Sequence, residues 1–250
     1  MSERVTISIS DGVADVRMNR PDKLNAVDPG MFEGLTKAGL ELFENRSASF
    51  QAMADSSRER PAVNINEPDS SSPANFAQRA AYIWTELPVP VIAAVHGFAY
   101  GAGLQIAMAT DIRYIAPDAK MSVMEIRWGL IPDVSGTQTL RHLVPLDVVK
   151  ELTFTGRIIS GTEAKELGLA THVSDNPYES AMALAREIAT KSPDAVRAGK
   201  KLLNASRLVS LEEGLRMEAE LQRSLIGKAN QVEAVQANLQ KRAPSFKDPA

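Results

Sequence analysis

The chain has 250 residues, 44% of them apolar, and a formal charge of −3. That length and apolar content suit one large α/β domain, or one with a helical appendage, and the slight acidity argues against a nucleic-acid partner. There is no cysteine, so disulfides, thiolate metal sites and a cysteine nucleophile are excluded.

Val5–Ile9 and Val13–Met18 alternate around Asp11-Gly12, which predicts a hairpin. The start of the chain is polar and lacks the apolar core of a signal peptide, so a cytoplasmic location is expected. Asn19-Arg-Pro-Asp-Lys-Leu-Asn-Ala is a turn-rich loop. Asp28-Pro29 then opens a helix, with the acid as cap, proline in the first turn, and Met31, Leu35, Leu42 and Phe43 on its inner side. Residues 55–75 are polar and proline-rich, the pattern of a surface loop, and Phe76–Leu87 reads as helix. Leu87–Thr110 is 24 residues without a formal charge. Prolines, glycines, His96 and Gln105 interrupt it, so a buried strand, turn and helix are expected rather than a membrane span.

Beyond Gly136 the pattern is mostly helical. Ser160 with Glu163 and Ser210 with Glu213 read as capping boxes, and Asn176-Pro177 and Ser192-Pro193 as capped helix starts. Thr171-His-Val reads as a last short strand. Residues 1–190 are expected to form the α/β core and 191–250 a helical region.

The chemistry concentrates between Pro88 and Gly136. An apolar strand, Val91–Val95, runs into Gly97 and then Gly101-Ala102-Gly103, where a helix opens. Small residues let a ligand approach the backbone, and the first N–H groups of a helix suit an anion or oxyanion. The glycines fit neither the dinucleotide fingerprint nor the phosphate loop with its lysine. Two carboxylates follow, Glu125 and Asp133. His142 and His172 show no spacing for a triad or a metal site, and no metal is expected.

The run Pro90-Val-Ile-Ala-Ala-Val-His-Gly-Phe-Ala-Tyr-Gly-Ala-Gly-Leu-Gln105, with Asp111-Ile-Arg-Tyr, Glu125, Gly129-Leu-Ile-Pro-Asp133 and Gly136-Thr, resembles the crotonase family, also called the enoyl-CoA hydratase/isomerase family. Residues 19–26, Leu152–Val173 and the closing Lys241-Arg-Ala-Pro-Ser-Phe-Lys247 extend the resemblance over nearly the whole chain. It implies the α/β superhelix of β-β-α turns shared by crotonases and ClpP, with two roughly perpendicular sheets and a C-terminal helical trimerisation region. It implies acyl-CoA substrates, no cofactor beyond the substrate's own coenzyme A, and a homotrimer or dimer of trimers. Two backbone N–H groups would hold the thioester oxygen and stabilise an enolate, one of them at Ala102. Lys23, Leu24 and Ala26 would lie in the loop that contacts coenzyme A, with Gly101, Gly103 and Trp128 near the acyl group. Lys241 and Lys247 are further candidates for facing coenzyme A.

Family hydratases carry two glutamates twenty residues apart. The later one matches Glu125, but the earlier falls on Gln105 (125 − 20 = 105). An amide exchanges no proton at neutral pH, so the water-adding pair is broken. Glu125 followed eight residues later by Asp133 resembles the dienoyl-CoA isomerases, which place a third acid where Gln105 stands here. Double-bond isomerisation is therefore expected, with Glu125 or Asp133 taking a proton and the other returning one. Gln105 is expected to position a water or the acyl group, or to cap the helix. Hydration in fatty-acid oxidation and non-catalytic acyl-CoA binding are the alternatives.

One family segment is not found. After the first helix a buried strand and a glycine turn should supply the first oxyanion donor, yet Glu44-Asn-Arg-Ser runs directly to Ala48-Ser-Phe. Either the chain lacks that strand and half the oxyanion hole, or the sequence is short of residues the protein carries. The second is expected, because a core strand is an odd thing to delete.

Overall fold

The computed structural model describes residues 4–44 and 72–248. The segment around residues 47–48, where the first oxyanion donor was sought, lies outside the described residues, as does most of the 55–75 loop.

Strands β1 (Val5–Ser10) and β2 (Val13–Met18) form the expected antiparallel hairpin. Asp11 and Gly12 both take positive φ, +51° and +74°, as a two-residue Asp-Gly turn requires. A single 3-10 turn, Pro21–Lys23, precedes α1 (Pro29–Glu44). Asp28 caps α1 by accepting the Met31 N–H at 2.9 Å, and it pairs with Arg20 and Arg4. That N–H and the two arginines hold its carboxyl below the usual carboxylate range, against a partial desolvation cost. Met31, Leu35 and Ala38 form the buried stripe, with Leu42 packed beside it. Phe43 does not join them: it is 40% exposed, because each residue turns about 100° from the last and Phe43 falls outside the Leu42 row.

Helix α2 (Phe76–Glu86) starts in a reciprocal box between Asn75 and Gln78. It lies so close to α1 that a Cβ on Gly39 would stand 2.3 Å from Ile83.

Two strand–strand units follow. β3 (Ile92–Val95) and β4 (Phe98–Tyr100) lead into α3 (Ala102–Met108), and β5 (Ile112–Ile115) and β6 (Lys120–Ser122) come next. The first member of each unit joins one sheet and the second joins another, which is the β-β-α superhelical winding. β3 pairs parallel with β5, and β4 parallel with β6. The sequence pattern runs β3 straight into the glycine turn and helix. The structure inserts β4 between them, because Gly97 at φ +66° redirects the chain and Phe98–Tyr100 then pairs with Lys120–Ser122.

After α4 (Gly136–Leu140) and α5 (Leu146–Thr155), β7 (Ile159–Ser160) adds antiparallel to β6. Helix α6 (Gly161–Leu167) and β8 (His172–Val173) complete the sheets, with β8 parallel to β5. Helices α7 (Pro177–Ala189), α8 (Pro193–Ser206), α9 (Leu211–Leu225) and α10 (Ala229–Leu239) end the chain. Ser160, Asn176 and Ser210 cap as expected, but Ser192 makes no side-chain cap bond and Pro193 alone sets that first turn. The serine caps are one-way rather than boxes, since Glu163 is held by Arg157 and Glu213 pairs with Arg216.

Two apolar clusters form the core. One lies among the two sheets and α4–α6, the other among the hairpin, α1 and α2. Helix α3 is wedged between them, giving Leu104, Ala107 and Met108 to the first and Ile106 to the second. Leu104 through Met108 are all buried, which fixes α3 between the two clusters. Lys200 ties α8 to α2 and to the segments leading into β3 and β5: its Nζ donates to Trp84 O, Val89 O and Asp111 Oδ2 at 3.0, 2.9 and 2.7 Å. Burial pulls this ammonium below its ordinary range and Asp111 opposes the shift. Among the described residues no helix is long and apolar enough to cross a membrane.

Candidate active site

The ends of β4 and β6 lie side by side, and Gly101 N–H donates to Ser122 O at 3.0 Å. One residue past β4 the chain must turn into α3. Three residues past β6 it makes a 3-10 turn, Glu125–Trp128, closed by Gly129 at φ +70°. The strand pairing therefore delivers Gly101 and Glu125 to the same corner. Gly101 takes φ +53° and ψ −121°, a conformation that suits glycine. A Cβ added there would stand 3.2 Å from Oε1 of Glu125, so the carboxylate packs on the backbone where α3 opens. Ala102 and Gly103 lie in the first turn, whose N–H groups have no preceding helical carbonyl to bind. A Cβ on Gly103 would meet nothing within 4 Å, so that side of the corner opens on free space.

Gln105 lies one turn along α3 and is 0% exposed. Its Nε2 donates to Glu125 Oε1 at 2.6 Å, and its Oε1 accepts the Val134 and Gly136 N–H groups, both at 2.9 Å. A polar side chain buried this deeply is tolerated because it is bonded at both ends. It makes no helix cap; its side chain reaches to a carboxylate and a loop. The other oxygen of Glu125, Oε2, is buried and accepts no hydrogen bond among the described residues.

The second carboxylate is placed differently. Asp133 is exposed, and among the described residues no hydrogen bond or ion pair joins it to Glu125 or Gln105. The neighbouring Val134 N–H is turned inward to Gln105, so the adjacent side chain is left facing out. Trp128 is 77% exposed, hence not a core aromatic. Lys23, Leu24 and Ala26 are exposed on a loop held by Asn25, which accepts the Arg20 N–H at 2.7 Å, and by the bond from Arg20 to Ala26 O. No hydrogen bond among the described residues links this loop to the Glu125 corner. Lys241, at φ +53°, and Lys247, bonded through its backbone to Asn230, lie in the C-terminal tail. His172 stacks on Tyr114, and His142 accepts from Arg141. Burial first, then Arg141 and Arg207, lower the His142 pKa. No cluster of His, Asp or Glu among the described residues could hold a metal.

Three backbone features escaped the residue pattern. Val134 and Gly136 N–H fix Gln105 from 29 and 31 residues away. Ser135 between them is buried, takes φ +60°, and its hydroxyl has no partner among the described residues. The only local trace of this was the glycine: a Cβ at Gly136 would stand 2.5 Å from Gln105 Oε1.

Comparison with known proteins agrees with this architecture. The family model described as "Enoyl-CoA hydratase/isomerase" matches residues 63–249. The mouse "Enoyl-CoA hydratase domain-containing protein 2, mitochondrial" is 36% identical over 257 aligned positions, covering 95% of this chain and 85% of that one. A "Probable enoyl-CoA hydratase" of Bacillus subtilis is 34% identical, covering 97% and 98%. The crystal structure of an enoyl-CoA hydratase from Bacillus anthracis superposes with a TM-score of 0.83 at 28% identity, over 98% of this chain and all of that one. The winding of paired strands into two sheets, the glycine corner at Gly101 with a glutamate against it, and these likenesses lead to one conclusion: the chain is a crotonase-fold enzyme of the enoyl-CoA hydratase/isomerase family.

Proposed function

We propose that this enzyme isomerises the double bond of an enoyl-CoA thioester, with Glu125 as the base and the Ala102 N–H as a donor to the thioester oxygen. The observation that carries this is the Glu125 carboxylate packed on the Gly101 corner, one oxygen tied to an amide and the other buried without a partner. Support for the reading comes from the place of this carboxylate, against the Gly101 backbone where α3 opens and where a thioester oxygen would be held. Glu125 takes a proton from C2 of a 3-enoyl thioester and the C–H electron pair flows to the thioester oxygen. The N–H stabilises the resulting oxyanion, a contribution typically worth about 3 kcal/mol per donor. The proton then goes to C4 as the electrons return, leaving the double bond between C2 and C3. Atoms and charge balance, and nothing is consumed. Asp133, exposed and unlinked, is given no share in the transfer, so Glu125 serves both directions.

Hydration is the second assignment, favoured by the names of several relatives. Adding water across the double bond calls for two proton-exchanging groups, and Gln105 supplies an amide already committed at both ends. Lys23, Leu24 and Ala26 are assigned to the coenzyme A portion of the substrate. We assign the chain to a homotrimer or dimer of trimers, supported by exposed apolar side chains on the C-terminal helices, among them Leu203, Leu211, Leu215 and Leu239.

The test is to incubate the purified protein with a 3-enoyl-CoA and, separately, with a 2-enoyl-CoA, and to identify products by ultraviolet absorbance and NMR. Conversion of the first to the 2-enoyl thioester, with 3-hydroxyacyl-CoA formed at least tenfold more slowly from the second, is the expected result. Faster hydration would install the second assignment.

A further inference from the structure

We propose that Ser122 and Gly156 are positioning residues for Glu125: together they set where the turn that carries it sits against the opening of α3. This rests on Glu125 acting in the reaction, and it holds for isomerisation and hydration alike. Glu125 opens a single 3-10 turn. The few, poorly aligned hydrogen bonds inside so short a turn shape it but do not hold it in place. Ser122 and Gly156 supply that hold from outside.

Ser122 ends β6, is 2% exposed, and is bonded on two sides. Its carbonyl accepts the Gly101 N–H at 3.0 Å, where α3 opens, and its hydroxyl donates to Gly156 O at 2.9 Å. One residue, three positions ahead of Glu125, therefore joins the glycine corner to the end of α5. Gly156 is itself anchored. It closes α5 at φ +57°, its N–H donates to Leu152 O at 3.0 Å, and Val149 and Leu152 root the helix in the first apolar cluster.

The turn lies directly on Gly156. A Cβ there would stand 2.8 Å from Ile126 Cγ2, with Val123 O and Met124 Cα at 3.5 and 3.6 Å. Glycine is thus required twice, for its left-handed backbone and for the space under the residues that flank Glu125. The Ser122 hydroxyl reaches across 34 residues to the same glycine on which the turn rests. A buried core helix, a glycine without a side chain and a strand-end serine form one continuous support under Glu125.

The experiment measures kcat and KM for the parent, Ser122→Ala and Gly156→Ala on whichever of a 3-enoyl-CoA and a 2-enoyl-CoA the parent turns over. Folding is followed by near-ultraviolet circular dichroism and thermal melting. Each variant is expected to lower kcat on the order of tenfold to a hundredfold and to move KM less than about threefold. Ser122→Ala provides the test if Gly156→Ala does not fold. The deciding variant combines Gly156→Ala with Ile126→Ala, which removes the methyl group the new Cβ would strike and leaves the backbone strain at residue 156 in place. It is expected to recover about fivefold or more of the kcat lost in Gly156→Ala, while the melting temperature stays depressed. A purely structural role predicts that only the melting temperature falls and that kcat per folded molecule stays at the parent value, and that result overturns the proposal. So does a loss carried by KM, or a double variant whose kcat stays at that of Gly156→Ala. Glu125→Gln separates the two levels. If it keeps its turnover, the base assignment fails and the positioning role with it. If it is inactive while Ser122→Ala and Gly156→Ala turn over like the parent, only the positioning role is wrong.

Discussion

At Gly101 a single residue decides whether α3 can begin beside a carboxylate. Its φ of +53° is costly for an L-residue, and a Cβ would stand 3.2 Å from Glu125 Oε1. Gly101→Ala is therefore expected to destabilise the fold by about 1–2 kcal/mol, read by urea denaturation, and to lower kcat through a displaced Glu125. Unchanged stability and turnover would mean that the corner tolerates a side chain. That Glu125 would lie beside the glycine turn was legible from its family spacing. The fate of Gln105 was not, because its partners are backbone groups distant in sequence whose direction depends on the φ of Ser135. Asp133 is exposed and no hydrogen bond or ion pair among the described residues joins it to Glu125. Its spacing from Glu125 matches an isomerase pattern, but a spacing says nothing about which way a loop turns its side chains.

Among the elements, the hairpin, α1, α2 and the capped C-terminal helices were readable because each carries local signals: Asp-Gly, Asp28-Pro29, and serines or asparagines ahead of the first turn. The strand β4 was not readable, since three residues show no usable alternation and its existence depends on pairing with β6. The tail after α10 is held by tertiary contacts that no periodicity announces. Asn230 bonds Lys247 through both its amide ends and donates to Asp194. The Arg242 side chain and the Ser245 N–H bind Glu233 and pull its pKa from 4.5 down to about 2. A carboxyl whose pKa falls on folding stabilises the folded form above its unfolded pKa, and that contribution fades as pH drops toward the folded value. Protection of the Ser245 amide, relative to its intrinsic exchange rate at each pH, is thus expected to fall as pH drops from about 4.5 to about 2, and high salt should weaken the clasp because the pair is exposed. Constant protection of Ser245 across that window would remove Glu233 from this role.

For the whole molecule, the superhelical winding places one buried helix between two apolar clusters and packs the Glu125 carboxylate against the backbone where that helix opens. Rigidity at that centre is what a base and an oxyanion donor need, since misplacement by about 1 Å can cost on the order of a hundredfold in rate. Assembly was expected through the C-terminal helices, where Leu203, Leu211, Leu215 and Leu239 are exposed. Light scattering should return three or six chain masses, and a single chain mass would contradict it. The most direct test of the central claim is the turnover of a 3-enoyl-CoA by Glu125→Gln, measured beside the parent on protein of matched folding. Loss of a hundredfold or so is expected for removing a positioned base, with KM little changed. Turnover within threefold of the parent would contradict a role for that carboxylate in moving the proton.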